Sequence, residues 1–242
     1  MSYLHFTSTE KYRNRLIQLG EQPNRVFDVG AIGLDNIKSL SLLSKEELSE
    51  SLDFVLDSPY LLITFHPVTL ESNTSEQQFK ILLDTLDQYK DLKIIFTLPN
   101  ADADGRIIIK LVEAYVKENN DRVRSFTSLG QLRFLSALKY ASAVVGNSSS
   151  GIIEAPSFKI PTINIGDRQK GRIQAATVIN AEPNPTSITS AMDEALSSTF
   201  KQMCSTTTNP YGEGDTAERI MKILKSHSTI KSLKKKFFDL AV

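Results

Sequence analysis

Three consecutive serines, Ser148 to Ser150, are the residues whose type and spacing most directly suggest chemistry. They follow an apolar run, 143–145, and a Gly-Asn pair, and a segment of helical character, 152–158, comes after them. Unpaired N–H groups and the positive macrodipole at a helix start, together with serine hydroxyls, would suit a phosphate. Glu154, about one helical turn further on, is an acceptor suited to ribose hydroxyls. A serine-rich N-cap and turn with a solvated glutamate explains the pattern alone equally well.

The elements around these serines indicate where they would lie in a fold. Expected strands cover 3–6, 25–29, 60–65, 92–97, 123–127, 143–145, 161–165 and 176–179. Expected helices cover 9–19, 35–57, 75–89, 105–118, 131–141, 152–158, 188–200 and 216–225. This alternation predicts an α/β fold with a Rossmann-like, doubly wound parallel sheet. Parallel strands end at one edge, so we expect a single crevice lined by the residues at their ends: His66, Asn100, Ser128, Asn147 and Gly166.

The stretch 142–172 also resembles a known family in two long sequence motifs, GNSSSGIIEAPSF and INIGDRQKGR. Both are similar to the nucleotide-binding segment of the UDP-N-acetylglucosamine 2-epimerase family. They look closest to its hydrolysing branch, which makes N-acetylmannosamine for sialic acid biosynthesis. The resemblance implies a GT-B-type fold of two Rossmann-like domains with the active site between them. It covers nearly all of this chain but only the C-terminal part of the family.

The resemblance also implies a division of the chain. Residues 1–34 are expected to be a remnant of the N-terminal domain and the interdomain junction, since a strand and helix pattern begins almost at once. Residues 35–212 are expected to form the UDP-binding Rossmann-like domain. Residues 213–242 are expected to form helices that pack back towards the N-terminal domain. The basic, partly apolar tail 231–238 favours a solvated or docking helix over a membrane contact.

Four further residues take expected roles from the resemblance. His66 stands where the family has a functional histidine near the sugar diphosphate, as a general acid or a diphosphate contact; by its type and position alone it is equally a satisfied strand-end residue. Asn100 matches a nucleotide-side asparagine, and Ser128 lies in a loop whose backbone reads the uracil edge. Arg168 matches a loop arginine, whose planar fork suits a diphosphate. The expected UDP site comprises Asn100, Ser128, Ser148, Ser149, Glu154 and Arg168, with His66 at the reacting end.

One departure from the family pattern separates its branches. Non-hydrolysing bacterial members follow this histidine with Arg-Arg-Glu-Asn, which serves an allosteric site for UDP-N-acetylglucosamine. This chain has Pro-Val-Thr-Leu-Glu at 67–71 instead. The missing arginines imply a hydrolysing enzyme that needs no allosteric activator.

Composition narrows the remaining classes of function. Lys+Arg and Asp+Glu both number 28, and a formal net charge of zero disfavours a dedicated nucleic-acid binder. The single cysteine, Cys204, suits a reducing cytoplasm. The chain shows neither an apolar run of membrane-spanning length nor a signal-peptide pattern. Asp102 and Asp104 suggest an acidic turn at a helix start rather than a metal site, so we expect no metal and no cofactor. Lys170 and Arg172 are as readily solvated as bound to a ligand.

The expected function is therefore the UDP-binding half of a hydrolysing UDP-N-acetylglucosamine 2-epimerase. Its partners would be UDP, UDP-N-acetylglucosamine, an N-terminal domain and other copies in a homo-oligomer, without nucleic acid or membrane. The carboxylates thought to act as acid and base belong to the family's N-terminal domain, so the chain alone is expected to be inactive. Two alternatives stay open. One is the same scaffold acting on a UDP-2,4-diacetamido-trideoxy sugar of legionaminic acid biosynthesis. The other is a nucleotide-binding module without catalysis.

Overall fold

The computed structural model describes residues 2–67, 74–100, 103–227 and 234–240. The chain divides into two compact units: Met1–Leu40 together with Asn209–Val242, and Ser41–Thr208. In the described residues, no helix is both long and apolar enough to cross a membrane.

The secondary structure follows the predicted alternation closely. The strands are β1 (His5–Thr7), β2 (Val26–Asp28), β3 (Tyr60–Thr64), β4 (Lys93–Thr97), β5 (Val123–Phe126), β6 (Ala143–Gly146), β7 (Thr162–Ile165) and β8 (Val178–Ala181). The α-helices are α1 (Glu10–Gln18), α2 (Asp35–Ser39), α3 (Lys45–Ser51), α4 (Ser75–Leu86), α5 (Ala103–Glu118), α6 (Gly130–Tyr140), α7 (Ser150–Ile153), α8 (Pro185–Leu196), α9 (Ser198–Thr206) and α10 (Thr216–Ser226). Short 3-10 helices occupy Pro23–Arg25, Ile32–Leu34 and Ala155–Phe158.

The larger unit is built on a six-stranded sheet in the order β5-β4-β3-β6-β7-β8. Every neighbouring pair is parallel. The predicted doubly wound parallel sheet is thus confirmed. Because consecutive strands run the same way, each connection must cross over the sheet, and the helices between them cover both faces.

The core of the larger unit lies on both faces of this sheet, which explains the unbroken apolar runs in its strands. Leu61 and Ile63 of β3 point into one buried cluster with α4 and α8. Their neighbours Tyr60 and Leu62 point into a second cluster with α3 and α6. Successive strand side chains alternate between faces, so a strand buried on both sides needs apolar residues at every position.

The smaller unit contains the parallel pair β1–β2 and the described part of the C-terminal tail. Lys235 Nζ lies 2.5 Å from a carboxylate oxygen of Glu21, and this hydrogen bond lowers the pKa of that carboxyl. The Phe238 N–H donates to the Gly20 carbonyl at 2.9 Å. Residues 234–240 are not helical, so the helix predicted over 231–238 is wrong for its described part. Side-chain and backbone bonds to residues 20–22 hold this segment in an irregular conformation.

Two predicted helices are divided in the structure. The helix expected over 35–57 forms α2 and then α3. A capping box opens α3: Ser44 Oγ accepts from the Glu47 N–H at 3.1 Å, and Glu47 accepts from the Ser44 N–H at 2.8 Å. The helix expected over 188–200 forms α8 and α9 instead. The break lies at Ser197, whose extended backbone ends α8 and whose hydroxyl caps α9 by accepting from the Phe200 N–H.

The segment after the serines is also shorter than the expected helix over 152–158. α7 is a single turn, and a 3-10 helix follows it from Ala155. Pro156 lies in the first turn of this 3-10 helix, where its missing N–H costs no hydrogen bond. A one-turn helix has a small macrodipole, so anion binding here would depend on individual N–H and O–H donors.

Candidate functional site

The carboxyl edge of the larger sheet has a topological switch point between β3 and β6. β4 and β5 lie on the far side of β3, whereas β7 and β8 lie on the far side of β6. The crossovers from the two central strands therefore leave in opposite directions, and the loops that follow them leave a crevice. The predicted strand-end residues His66 and Asn147 lie in these two loops.

Asn147 joins the two loops through its side-chain amide. Its Oδ1 accepts from the His66 N–H at 2.7 Å, and its Nδ2 donates to the His66 carbonyl at 2.7 Å. Its own N–H donates to the Thr64 carbonyl at 3.2 Å. Asn147 is 1% exposed, so these are bonds of a buried polar group that water cannot replace.

The loop after β7 is bound to the same residue. Arg168 Nη1 donates to the Asn147 carbonyl at 2.9 Å, and Gln169 Nε2 donates to the same oxygen at 2.8 Å. We call these four residues, His66, Asn147, Arg168 and Gln169, the Asn147 junction. It places the predicted Arg168 beside the predicted His66 loop and the serine turn, which are far apart in sequence.

The side chain of Arg168 remains available for a ligand. Arg168 is exposed, and of its guanidinium nitrogens Nη1 donates to the Asn147 carbonyl. Partial desolvation, and then the charge of Arg172, lower the pKa of Arg168. An arginine nevertheless stays protonated at neutral pH, so the fork keeps its positive charge. Repulsion by Arg172 and partial loss of hydration both favour binding of an anion here.

The serine turn keeps its hydroxyls close together. The Ser150 hydroxyl donates to Ser148 Oγ at 3.0 Å, and the Ser150 N–H points to the same oxygen at 3.4 Å. Ser149 occupies the N-cap position of α7 but makes no side-chain capping bond. The Ser149 hydroxyl therefore does not cap α7, while the bonds to Ser148 Oγ form a local serine turn, as the alternative interpretation of the pattern expects.

Glu154 lies at the C-terminal end of α7. Its Oε2 is buried and has no hydrogen-bond partner among the described residues. Burial raises the pKa of this carboxyl. A buried acceptor without a donor is costly, so the site is completed when a ligand hydroxyl or a water supplies one. The carboxylate is not fully solvated, in contrast to the alternative interpretation.

Asn100 and Ser128 follow β4 and β5, on the other side of the switch point. Both side chains are exposed. Ser128 Oγ accepts from the Gly130 N–H at 3.1 Å, which shapes the start of α6. Within the described residues, neither residue belongs to the Asn147 junction. Their nucleotide contacts stay predictions.

Two other predictions concern residues that the structure does not describe. The departure at 67–71 that argues against allosteric activation lies outside the described residues from Val68 onward. The acidic pair Asp102 and Asp104 also falls outside what is described of the side chains. In the remainder of the described chain, no cluster of three or more His, Cys, Asp or Glu residues could hold a metal ion.

Lys170 and Arg172 border a polar cavity of about 260 Å³ beside the loop after β7. Asn164 and Asn180 form its wall, with a hydrogen bond of 2.8 Å from Asn164 Nδ2 to Asn180 Oδ1. The two cations therefore stand next to Arg168 in sequence but face a separate hollow.

Sequence reasoning missed Gln169 and assigned Asn147 only to a strand end. A small polar residue directly after a buried strand is a recognisable signal for Asn147. Gln169 gives no such signal, because it lies among charged residues in a loop that looks solvated. It is nevertheless 2% exposed. Only the folded loop reveals that its side chain turns inward.

Comparisons with known proteins agree on one family. The family model described as UDP-N-acetylglucosamine 2-epimerase matches residues 1–225. GDP/UDP-N,N'-diacetylbacillosamine 2-epimerase (hydrolyzing) of Campylobacter jejuni is 43% identical over 202 residues, which are 84% of this chain and 52% of that protein. Polysialic acid biosynthesis protein P7 of Escherichia coli is 38% identical over 240 residues, 99% of this chain and 60% of that protein. The chain thus spans between about half and three-fifths of these relatives.

A solved structure supports the fold. The co-structure of S. aureus MnaA with UDP superposes with a TM-score of 0.74 over 98% of this chain and 64% of that one, at 22% sequence identity. At this identity the likeness shows the fold alone. Together with the observed sheet order, it confirms the Rossmann-like architecture of the GT-B type that the sequence predicts.

Proposed function

Because the chain belongs to the UDP-N-acetylglucosamine 2-epimerase family, we propose that it is the UDP-binding part of a hydrolysing UDP-sugar 2-epimerase. The observation that carries this proposal is the Asn147 junction at the switch point of the sheet. It holds an exposed, charged arginine beside a histidine loop and a turn of hydroxyl donors. Such a convergence of donors in a crevice suits a nucleoside diphosphate.

Each part of the nucleotide has a matching group in this proposal. Arg168, Ser148 and Ser149 bind the diphosphate, and the buried carboxylate of Glu154 accepts from the ribose hydroxyls. The loop at Ser128 reads the uracil edge with its backbone, and Asn100 contacts the nucleotide from β4. The unpartnered Oε2 of Glu154 supports its role, since a ribose hydroxyl supplies the missing donor.

The site also suits the leaving-group chemistry of such an enzyme. In the proposed reaction a base removes the proton at sugar C2, and the bond between C1 and the diphosphate oxygen breaks with its electron pair. UDP leaves a 2-acetamidoglucal, and water adds across its double bond to give N-acetylmannosamine. Negative charge grows on the departing diphosphate, and preorganised donors and cations stabilise it most in that state. In this proposal His66 protonates or binds the same group.

The sugar of the substrate has two candidates. UDP-N-acetylglucosamine follows from the resemblance to the sialic acid branch, and the relative named as a polysialic acid biosynthesis protein supports it. A diacetamido-trideoxy sugar nucleotide is the second candidate, favoured by the 43% identity to a protein named as a diacetylbacillosamine 2-epimerase. Both reactions place the same UDP in the same crevice.

Incubation with each sugar nucleotide tests the catalytic half of this proposal. The chain as given is expected to release no UDP from either substrate, because the proposed acid and base carboxylates lie in the part of its relatives that it does not match. The C. jejuni relative serves as the positive control. A longer chain that also carries an N-terminal domain of this family is expected to convert one of the two substrates. Rapid UDP release by the chain alone would contradict the division of roles.

A further inference from the structure

We propose that Asn147 is a positioning residue for the diphosphate site: it fixes the His66 loop and the Arg168 loop to each other. That Asn147 fixes these two loops to each other does not depend on any ligand. Its effect on UDP rests on the proposed function. Asn147 itself does not touch the reacting atoms in this account.

The geometry of the β6 end explains why a side chain is needed here. Gly146 pairs with Thr64 in the ladder, but its φ of +128° turns the chain away from β3 directly afterwards. The backbone can therefore not continue the ladder to His66. The Asn147 amide continues it instead, since it supplies one acceptor and one donor to the same His66 peptide groups.

The backbone carbonyl of the same residue accepts from the Arg168 loop. It receives Arg168 Nη1 and Gln169 Nε2, while the Asn147 N–H is used by Thr64. The polar groups of a residue that is 1% exposed are thus engaged by two other segments, the end of β3 and the loop after β7. A shift of Asn147 moves the anchor of Arg168 and the backbone of His66 together.

The Asn147 side chain supplies both an acceptor for the His66 N–H and a donor for the His66 carbonyl. Asn147→Asp keeps the acceptor for the His66 N–H but loses the donor and places negative charge against the His66 carbonyl. Asn147→Ala removes both bonds without adding charge. Ser136→Ala is the control, because Ser136 is a buried polar residue that bonds to Leu132 and Leu43 in the same unit, away from the strand ends.

Amide hydrogen exchange tests the positioning without any ligand. Asn147→Ala should speed exchange at the His66 N–H by about tenfold or more relative to amides in the middle of β3, whereas Asn147→Asp, which keeps the acceptor, should speed it less. Ser136→Ala should change both classes of amide alike, through global stability alone. Unchanged relative protection of the His66 N–H in Asn147→Ala would overturn the proposal, whether or not the chain binds UDP.

Ligand titration then tests the link to Arg168. Asn147→Ala should weaken UDP by roughly fivefold to tenfold and uridine by much less, because the diphosphate contact of Arg168 is the one displaced. In the Arg168→Ala background the same change should have little further effect on the UDP-to-uridine ratio, since coupled residues are non-additive. Fully additive effects of the two substitutions on that ratio would show that Asn147 does not act through Arg168. Absence of UDP binding in the unmodified chain would instead refute the proposed function and leave the exchange result as the test of Asn147.

Discussion

Replacement of Gly146 by alanine is expected to cause the largest loss of stability of any single methyl added to this chain. Gly146 has a φ of +128°, which other residues rarely adopt, and an added Cβ would collide with the backbone carbonyl of Thr64 on the neighbouring strand. Gly146 and Thr64 are paired on the two central strands of the sheet, so neither backbone can move aside. Strain and collision together should lower the free energy of unfolding by about 3 kcal/mol or more. Urea denaturation followed by circular dichroism measures the change.

A second glycine separates collision from conformational strain. Gly130 has a φ of +62°, and an added Cβ there would meet no atom within 4 Å. Gly130→Ala should therefore cost only the left-handed conformation, about 1 kcal/mol. If Gly146→Ala unfolds at the same urea concentration as Gly130→Ala, the expected collision between a Cβ at position 146 and the Thr64 carbonyl is contradicted. A Gly146→Ala chain that is unfolded from the start agrees with the expectation.

Replacement of Arg168 by alanine is expected to cause the largest loss of UDP affinity. The Asn147 carbonyl already holds its guanidinium, so little side-chain freedom is lost when the diphosphate binds. A charge-assisted contact of this kind contributes about 2 kcal/mol to the binding free energy, so its loss corresponds to a roughly thirtyfold larger dissociation constant for UDP. Uridine lacks the diphosphate and should bind almost as before. Calorimetric titration of each variant with UDP and with uridine measures both effects.

Two matched variants sharpen this prediction. Arg168→Lys keeps the charge but loses the planar fork, so it should recover only part of the UDP affinity. Lys170→Ala removes an exposed cation from the same loop and should have a small, salt-dependent effect. Equal losses from Arg168→Ala and Lys170→Ala would show that general charge, and not the fork held by Asn147, binds the ligand. Equal losses of UDP and uridine in Arg168→Ala would remove its assignment to the diphosphate.

The sequence predicts this fold well where burial dictates the residue types. The strands β3, β4 and β6 contribute apolar residues to both faces of the sheet, so their positions and shared edge follow from the pattern. Helix ends were harder to predict. The break at Ser197 depends on a local competition between two nearly continuous helices, which hydrophobic spacing does not register.

The candidate site was predictable only in part, for a related reason. Exposed Arg168 and the serines are visible as residue types in a loop and a turn. The bonds that bring them together pass through Asn147 and Gln169, whose importance depends on the approach of three segments distant in sequence. The buried state of Glu154 Oε2 likewise depends on how the one-turn helix α7 meets its surroundings. Neither arrangement leaves a periodic trace in the chain.

Isothermal titration calorimetry of this chain with UDP measures directly whether the Asn147 junction and the serine turn form a UDP site. We expect saturable binding at one site, weaker than in a two-domain protein in which, as proposed, a second domain completes the crevice. Uridine should bind more weakly than UDP, and Glu154→Gln should weaken both, since the ribose is common to them. A folded chain that shows no saturable heat with millimolar UDP would contradict the claim that the Asn147 junction and the serine turn form a UDP site.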